Sequence, residues 1–220
     1  MIRAQCYAMR VKLSELLDHA DAATREVWDT IVGPVTIVDN RSPILLAYVS
    51  VAMEHQEAIV LLARKGLCGS ALALVRCIYE ILYRAAWICS CAKPDEVTKI
   101  WEGRFNFPKM GDMVAAIDAT SDAKFFHNFK TLSWNDQNDF THTGRLQMHS
   151  RFTGDELVSR YPDEMIMAQV SSATMAAILV AVVLLKVHGR IPEGERMERL
   201  LVSFAPVDFE RLNSDYAKSR

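Results

Sequence analysis

Apolar residues recur at three- and four-residue spacing along almost the whole chain. This spacing places apolar side chains on one face of a helix, so it predicts helices. Strands would instead show sustained alternation of apolar and polar residues between turns, and only the short run 35–38 is strand-like. The pattern therefore predicts an all-α protein.

Four long apolar segments predict the main helices of the protein, at 11–28, 43–65, 71–92 and 163–188. Shorter helices are expected in PDEVTKIWEGRF, PKMGDMVAAIDA and EGERMERLLVSF, whereas FTGDELVSRYPDE is expected to be a loop with a fragment of helix. The chain has no internal repeat and no linker-like stretch, so we expect a single domain over 1–205, followed by a polar tail at 206–220.

The second and third predicted helices are separated only by the short segment KGLCGS. Gly66 is suited to the left-handed conformation that ends a helix, and Ser70 is suited to cap the start of the next one. Two long apolar helices joined by so short a link must pack as an antiparallel hairpin. We expect the helical bundle to be built on this long hairpin.

One apolar segment, 165–185, is 21 residues long and carries no formal charge, so it is long enough to span a bilayer. Its first half contains Gln169, Ser171, Ser172 and Thr174, and the rest of the chain has no span of comparable length. One face of the segment is lined by small residues, which suits close packing against other helices. We therefore expect a buried central helix and no membrane span, with a membrane-associated protein as the alternative.

The chain of 220 residues has a net charge of −2 and a pI near 6.3, so its overall field does not attract nucleic acid. Contact with RNA or DNA would need a local basic patch. The five cysteines are odd in number and form no CxxC pair, which indicates reduced thiols of a cytoplasmic protein rather than a zinc site. The N-terminus lacks the apolar core of a signal peptide, which agrees with a cytoplasmic location.

Three charged residues share one face of the third predicted helix: Arg76, Glu80 and Arg84 are spaced four apart in an otherwise apolar segment. Such spacing lets the acid pair with either base. The apolar surroundings suggest that these charges are buried, and buried charges need partners. The hairpin register offers partners in EHQE (54–57), which includes Glu57. The group is interpreted either as a salt-bridge network that fixes helix register or as one wall of a polar pocket.

A second polar group occupies the segment NDQNDFTHTGRLQMHSR. A helix through its first part places Asn138, Asp139 and His142 on or near one face, and the Thr-Gly pair that follows ends the helix. A histidine fixed by an amide or carboxylate one turn earlier has a defined tautomer, as a general acid or base requires. Arg145 and Arg151 come next and could hold a phosphate bidentately. The alternative interpretation is a helix C-terminus capped by its own polar side chains.

Metal binding is a further interpretation of the same segment. Asp139 and His142 have the spacing of half a helical di-metal site, but the chain contains no second acid-x-x-His pair. His149 could complete a zinc site with these two residues, although the spacing fits no tight zinc pattern. The chain also lacks a GxSxG motif and a phosphate-binding glycine loop. We therefore expect neither a metal nor another cofactor.

The segment HQEAIVLLARKGLCGSALALVRCIYEILYRAAWI, together with NDFTHTG, resembles uncharacterised bacterial helical proteins known only as domains of unknown function. The resemblance covers about residues 45–150, and these proteins are in turn distantly similar to the HEPN superfamily. HEPN proteins are helical bundles, and many of them are ribonucleases of toxin–antitoxin and anti-phage systems that usually work as dimers. Their signature is an arginine followed a few residues later by a histidine.

On this resemblance, His142 fills the histidine position, and Asn138 or Asp139 is the accompanying polar residue. The chain has no arginine at the signature distance, since Asn135 and Asp136 occupy that region. The resemblance therefore implies that an arginine from elsewhere in the fold supplies the positive charge.

The function implied by the resemblance is that of a metal-independent, RNA-cleaving toxin or anti-phage effector. His142 would act as general acid or base, and Arg76, Arg145 or Arg151 would stabilise the charge that develops in the transition state. The expected partners are RNA, a cognate antitoxin or other partner protein, and a second copy of the chain in a homodimer.

The alternative function is that of a non-catalytic regulatory or interaction module, such as an antitoxin-like partner or a small-ligand sensor. Such a protein would bind a ligand or another chain without turning it over. Its polar pocket would be lined by Glu57, Arg76, Glu80 and His142. The mildly acidic pI and the missing arginine favour this alternative, whereas the polar segment around His142 favours the nuclease.

Overall fold

The structure is a computed structural model that describes residues 2–32, 37, 39–120, 125–158 and 161–204. The predicted strand-like run 35–38, except residue 37, and the predicted polar tail 206–220 lie outside the described residues. The all-α class is confirmed, because helices account for nearly all of the described secondary structure.

The described residues form these helices in chain order: α1 (Ile2–Ile31), α2 (Arg41–Arg64), α3 (Cys68–Ser90), α4 (Pro94–Trp101), α5 (Met110–Asp118), α6 (Phe125–Thr141), α7 (Arg145–His149), α8 (Asp163–Val187) and α9 (Ile191–Val202). Two short strands, β1 (Phe152–Thr153) and β2 (Glu156–Leu157), lie between α7 and α8 and pair antiparallel. The long helices agree with the predicted segments, except that α1 extends further in both directions than expected.

The predicted hairpin is formed by α2 and α3, which pack against each other. Gly66, in the link between them, has a φ of +71°, the left-handed conformation expected at the end of α2. The N-cap predicted at Ser70 is wrong, because α3 already begins at Cys68. The amides of Ser70 and Ala71 both bond to the carbonyl of Leu67, so these residues belong to the first helical turn.

The segment FTGDELV is a β-hairpin and not the predicted loop with a fragment of helix. Phe152 pairs with Leu157, and Thr153 pairs with Glu156. Gly154 in the turn has a φ of +60°, which suits a tight two-residue hairpin connection. Each strand has only two residues, so the alternation of a strand is too short to recognise in the sequence.

The central helix of the bundle is α8, as predicted, since it packs against α1, α2, α3 and α9. Small residues on its surface let these neighbours approach closely; the fully buried ones include Ala173, Ala176, Ala177 and Ala181. Thr174 is also buried, and its hydroxyl accepts a hydrogen bond of 2.6 Å from the Gln56 side chain of α2. A buried polar contact of this kind fixes the register between two core helices.

Two helices, α2 and α8, are each long and apolar enough to cross a membrane by length and composition. The expectation of one such segment is therefore wrong, because α2 also passes this threshold with a mean hydropathy of 1.4, against 2.2 for α8. Within the protein, 67% of the apolar window of α8 is buried and 44% of that of α2. The bundle thus covers most of α8 and leaves more of α2 exposed.

The packing of α6 on α3 positions the candidate site. The ring of Phe126, near the start of α6, lies 5.9 Å from that of Tyr83. The ring of Trp134, about two turns further along α6, lies 6.1 Å from the same tyrosine. At the end of α6, the Thr141 hydroxyl donates a hydrogen bond of 3.2 Å to the carbonyl of Ala73. The end of α6 therefore lies beside the first half of α3, and the two helices run antiparallel.

Candidate functional site

Arg76 is the centre of a polar cluster between α3 and α6. Its Nε donates a hydrogen bond of 2.9 Å to Oε1 of Glu80, one turn further along α3. Its Nη1 donates to Oδ1 of Asn138 and lies 3.0 Å from Nε2 of His142. The guanidinium also lies over Trp134, with Cζ 4.6 Å from the ring centroid. These five residues, called the Arg76 cluster below, unite polar groups that are 62 to 66 residues apart in the chain.

Helical spacing explains why these residues meet. Trp134, Asn138 and His142 are spaced four residues apart, so they follow one face towards the end of α6. The amide of His142 bonds to the carbonyl of Asn138 at 2.9 Å, which continues the helical turn just beyond the last residue of α6. Arg76 and Glu80 have the same spacing on α3. Because the helices are antiparallel, the two faces meet along their length.

The contact between Arg76 and His142 fixes the hydrogen-bonding state of the imidazole. A guanidinium nitrogen can only donate, so Nε2 of His142 accepts, and the proton of the neutral ring is on Nδ1. His142 is exposed at the end of α6. A basic nitrogen and a permanent positive charge are therefore adjacent at the protein surface, which suits the binding and reaction of a phosphate ester.

Glu80 connects Arg76 to a second arginine. Its Oε2 lies 3.7 Å from Nη2 of Arg84, whose guanidinium lies 5.0 Å from the ring centroid of Phe107. The side chains of Arg76, Glu80 and Arg84 are 19%, 31% and 41% exposed, so the expectation that these charges are buried is wrong. Arg84 also reaches Tyr48 of α2: burial raises the pKa of that tyrosine, and the charge and hydrogen bond of Arg84 lower it.

Asp139 holds the turn between α6 and α7. Its Oδ2 accepts a hydrogen bond of 3.1 Å from the amide of Leu146, and its carbonyl accepts one of 2.6 Å from the amide of Gly144. A Cβ at residue 144 would lie 2.8 Å from the Cα of Asp139, so only glycine allows this close approach. Asp139 therefore acts as a cap, while its neighbour Asn138 faces Arg76.

The two arginines that follow the turn lie in different places. Arg145 is exposed at the start of α7. Arg151 is half-buried against Tyr161, with Cζ 5.7 Å from the ring centroid. Its Nη2 would lie only 2.6 Å from a Cβ at Gly69, in the first turn of α3. Gly69 is about 10 Å from Arg76 along the helix axis, so Arg151 belongs to a separate polar region at the start of α3.

Glu57 faces α1. Its Oε1 accepts a hydrogen bond of 3.0 Å from Nε1 of Trp28. The adjacent Gln56 is completely buried and donates to Thr174 of α8. The partners of Arg76 come from α3 itself and from α6, so the partners expected from the hairpin register are wrong. A hairpin register places residues of α2 at the level of Arg76, but it does not determine which face of α3 turns towards them.

The described thiols and acids form no metal centre. No group of three or more His, Cys, Asp or Glu side chains within the described ranges is arranged to hold a metal ion. Cys68, Cys77, Cys89 and Cys91 are free thiols. Burial raises the pKa of the first three, to about 12 for Cys89, so these thiols stay protonated and unreactive.

Two aromatic residues of the site were not predicted from the sequence: Trp134, which supports Arg76, and Phe107, which supports Arg84. A signal for Trp134 exists, because it precedes Asn138 by four residues and therefore lies on the same helical face. Phe107 lies in the connection between α4 and α5, where helical spacing carries no information.

The fold and site define a class: an all-α bundle with an arginine–histidine pair at the surface between two antiparallel helices. The chain belongs to DUF6988, a family of unknown function that matches residues 49–207. The match covers most of the chain and every residue of the Arg76 cluster. Membership of an uncharacterised helical family is thereby confirmed. Comparison with curated proteins and with solved structures gives no match.

Proposed function

We propose that this protein is a HEPN-like, metal-independent ribonuclease and that the Arg76 cluster is its catalytic site. The observation that carries the proposal is the 3.0 Å contact between Nη1 of Arg76 and Nε2 of His142. The HEPN signature pairs an arginine with a histidine, and the chain has no arginine shortly before His142. Arg76 approaches the histidine from α3 instead, which supports the resemblance despite the altered signature.

The proposed reaction is attack of a ribose 2′-hydroxyl on the adjacent phosphorus. When a phosphate oxygen takes over as acceptor for Arg76, Nε2 of His142 is released and takes the proton of the hydroxyl. The O2′–P bond forms, the P–O5′ bond breaks, and His142 returns the proton to the leaving 5′ oxygen. Arg76 stabilises the negative charge that develops on the phosphoryl oxygens. The products are a 2′,3′-cyclic phosphate and a 5′-hydroxyl end.

Three residues of the cluster are positioning residues for Arg76. Glu80 accepts from Nε, Asn138 accepts from Nη1, and Trp134 supports the face of the guanidinium. Together these contacts fix the plane of the guanidinium before substrate arrives. Donors that are already oriented stabilise transition-state charge without reorganising during the reaction.

The test of this function is cleavage of a mixed RNA pool by purified protein in EDTA. Wild type should cleave RNA, and His142→Ala should lose at least about 100-fold in rate, because general acid–base catalysis is removed. His149→Ala is the matched control, since His149 is exposed on the neighbouring helix α7, outside the Arg76 cluster, and should cleave like wild type. DNA strands should stay intact because they lack the 2′-hydroxyl.

Three results would contradict the proposal. Intact RNA in every sample would exclude the nuclease. Equal cleavage by wild type and His142→Ala would exclude the Arg76 cluster as the source of activity. Activity that appears only when a divalent metal replaces EDTA would exclude the metal-independent mechanism. Circular dichroism and urea unfolding of His142→Ala check that the variant keeps its fold.

The resemblance also suggests the biological setting of such an enzyme. HEPN ribonucleases include bacterial toxins and anti-phage effectors, so the proposal extends to a cytoplasmic homodimer restrained by a cognate partner protein. Light scattering coupled to size-exclusion chromatography tests the dimer, which should have twice the chain mass of 24.8 kDa. A mass equal to one chain would contradict it.

A non-catalytic regulatory or interaction module is the second candidate. Glu80 lies between Arg76 and Arg84 and offsets part of their charge, and the whole chain carries a net charge of −2. Both features weaken attraction for a polyanion. In this case the Arg76 cluster would bind a partner protein or small ligand without turnover. RNA would stay intact, and a stoichiometric partner would co-purify with wild type but not with Arg76→Ala.

A further inference from the structure

Three polar side chains converge on the first turn of α3, two helical turns from Arg76. A Cβ built at Gly69 would lie 2.6 Å from Nη2 of Arg151, 2.7 Å from the hydroxyl oxygen of Tyr161 and 3.3 Å from Nε2 of Gln147. Only the amides of Cys68 and Gly69 precede the first helical hydrogen bonds and add donors here, because those of Ser70 and Ala71 bond to the carbonyl of Leu67. Donor groups from three parts of the chain therefore gather around one glycine.

Charges of both signs lie at this end of α3. Leu67, which precedes the helix, provides no side-chain cap, and a long helix carries about half a positive charge at its N-terminus. The charges of Arg151 and Asp163 both reach Cys68: burial raises the pKa of its thiol most, Asp163 raises it further, and Arg151 lowers it. Asp163 acts on Cys68 more strongly than Arg151 does, so the positive contributions at this end of α3 are those of Arg151 and of the helix end itself.

Tyr161 is the residue that points to a ligand. It is 7% exposed, its hydroxyl is aimed at Gly69, and the hydroxyl proton has no acceptor within the part of the chain that the structure describes. Burial raises the pKa of Tyr161 more than the charge and hydrogen bond of Arg151 lower it, so the proton is kept at neutral pH. A buried donor without an acceptor is unfavourable. A bound anion would supply the acceptor.

We propose that the N-terminus of α3, with Arg151, Gln147 and Tyr161, is a phosphate-binding subsite. It binds a phosphate near the one cleaved at the Arg76 cluster, and in this respect it rests on the proposed ribonuclease function. Gly69 and Arg76 lie on the same face of α3, about 10 Å apart. A single RNA strand can place two nearby phosphates at this separation. The substrate is therefore an RNA strand with at least one phosphate besides the scissile one.

Binding of uncleavable RNA tests the subsite directly. Oligonucleotides with 2′-O-methyl riboses and one, two or three phosphates, extended on either side, are titrated into the full-length protein and followed by fluorescence anisotropy. Wild type should gain about 10-fold in affinity when the strand reaches the subsite, which is the order expected of one hydrogen bond to a charged group. Arg151→Gln and Tyr161→Phe should each lose most of this gain. Arg199→Gln, an equal change of charge on exposed α9, should keep it.

The dependence on salt gives a second measurement on the same variants. A lost phosphate contact reduces the slope of log affinity against log salt by about 0.7 for a single strand. Arg151→Gln should show this reduction with the longest oligonucleotide and none with the shortest. An unchanged slope with both would contradict a phosphate contact at Arg151.

The subsite and the ribonuclease function fail in different ways. Equal affinity of wild type for short and long strands, or wild-type binding by Arg151→Gln, would overturn the subsite even if RNA is cleaved. Arg151-dependent binding of the longer strands without any cleavage would support the subsite and contradict the ribonuclease. Tyr161→Phe removes a single oxygen, so it keeps the test decisive if Arg151→Gln does not fold.

Discussion

The two ends of α3 meet arginines in opposite ways. At the C-terminal end, Arg41 donates from Nε to the carbonyl of Ile88 at 3.0 Å and from Nη2 to the carbonyl of Ala92 at 2.7 Å. Its Nη1 also pairs with Asp39 at 3.0 Å. A cation is favourable beside the negative end of a helix, and here it also satisfies carbonyls that the helix leaves without partners.

At the N-terminal end, Arg151 lies beside the positive end of the same helix, where a cation is unfavourable. The surrounding groups are the donors of Arg151 and Tyr161 and the amide of Gln147, whose Oε1 is buried without a partner in the described ranges, as is the Tyr161 proton without an acceptor. One end of α3 is completed by the chain itself, and the other would be completed by an anion. If the proposed subsite is correct, the difference separates an arginine that serves stability, Arg41, from one that serves binding, Arg151.

The largest effect on stability is expected from Arg41→Met. Two carbonyls and Asp39 lose their partner, so the free energy of unfolding in urea should fall by about 2–3 kcal/mol. Arg64→Met is the control on the same helix: its guanidinium pairs with Asp18 and Asp21 at the surface, and its loss should cost less than about 1 kcal/mol.

Arg151→Gln in the same urea assay sharpens the comparison. The variant should change the free energy of unfolding by less than about 0.5 kcal/mol, because the loss of the contact with Tyr161 is offset by removal of a charge that opposes the helix end. A loss as large as that of Arg41→Met would break the comparison, since both arginines would then be structural.

An intermediate effect is expected from Gly69→Ala. The end of Arg151 can move away from the new methyl group, but the hydroxyl of the buried Tyr161 has little room to do so. This overpacking outweighs the gain of about 1 kcal/mol in helix propensity. Thermal unfolding should show a net loss of about 1 kcal/mol. Gly194→Ala in α9 is the control, because the nearest atom to its Cβ, on Leu185, lies 3.9 Å away. Equal effects of the two substitutions would mean that the first turn of α3 is not closely packed.

The smallest effect concerns pH at the end of α8. Burial, followed by the charge of Arg190, lowers the pKa of His188 below its ordinary value of 6.5, while Asp39 raises it. The unfolded chain therefore takes up this proton first as the pH falls. The contribution of neutral, buried His188 to the free energy of unfolding is full above pH 6.5 and declines below it. Urea unfolding at about pH 7.5 and about pH 5.5 should show a smaller decline for His188→Gln than for wild type; an equal decline would exclude His188 as the cause.

Most of the fold could be predicted because helices are encoded by local spacing. The segment 163–188 agrees with α8 (Asp163–Val187), and the glycine link between α2 and α3 determines their antiparallel packing. The start of α3 could not be predicted from Ser70, because the helical hydrogen bonds begin at Leu67, a residue without capping character. Local rules therefore identify helices better than their ends.

The candidate site shows where local spacing stops being informative. Arg76, Asn138 and His142 could each be selected from the sequence, since each stands out as polar on its own helix. Their contact depends on the packing of α6 against α3, across 62 to 66 residues of chain, and no local pattern encodes which helix faces are chosen. The same limit explains why the hairpin register wrongly predicts Glu57 beside Arg76, although Glu57 faces Trp28.

The attachment of α6 has a consequence for how long the site stays assembled. This helix packs mainly against α3, α5 and α7, whereas α8 is surrounded by four helices of the core. The α6–α7 segment can therefore open locally while the core stays folded. Such an opening separates Arg76 from Asn138, His142 and Trp134 in one step. Hydrogen exchange should then be faster in α6 than in α8, and the free energy of this one opening, rather than of global unfolding, would determine how long the site stays assembled.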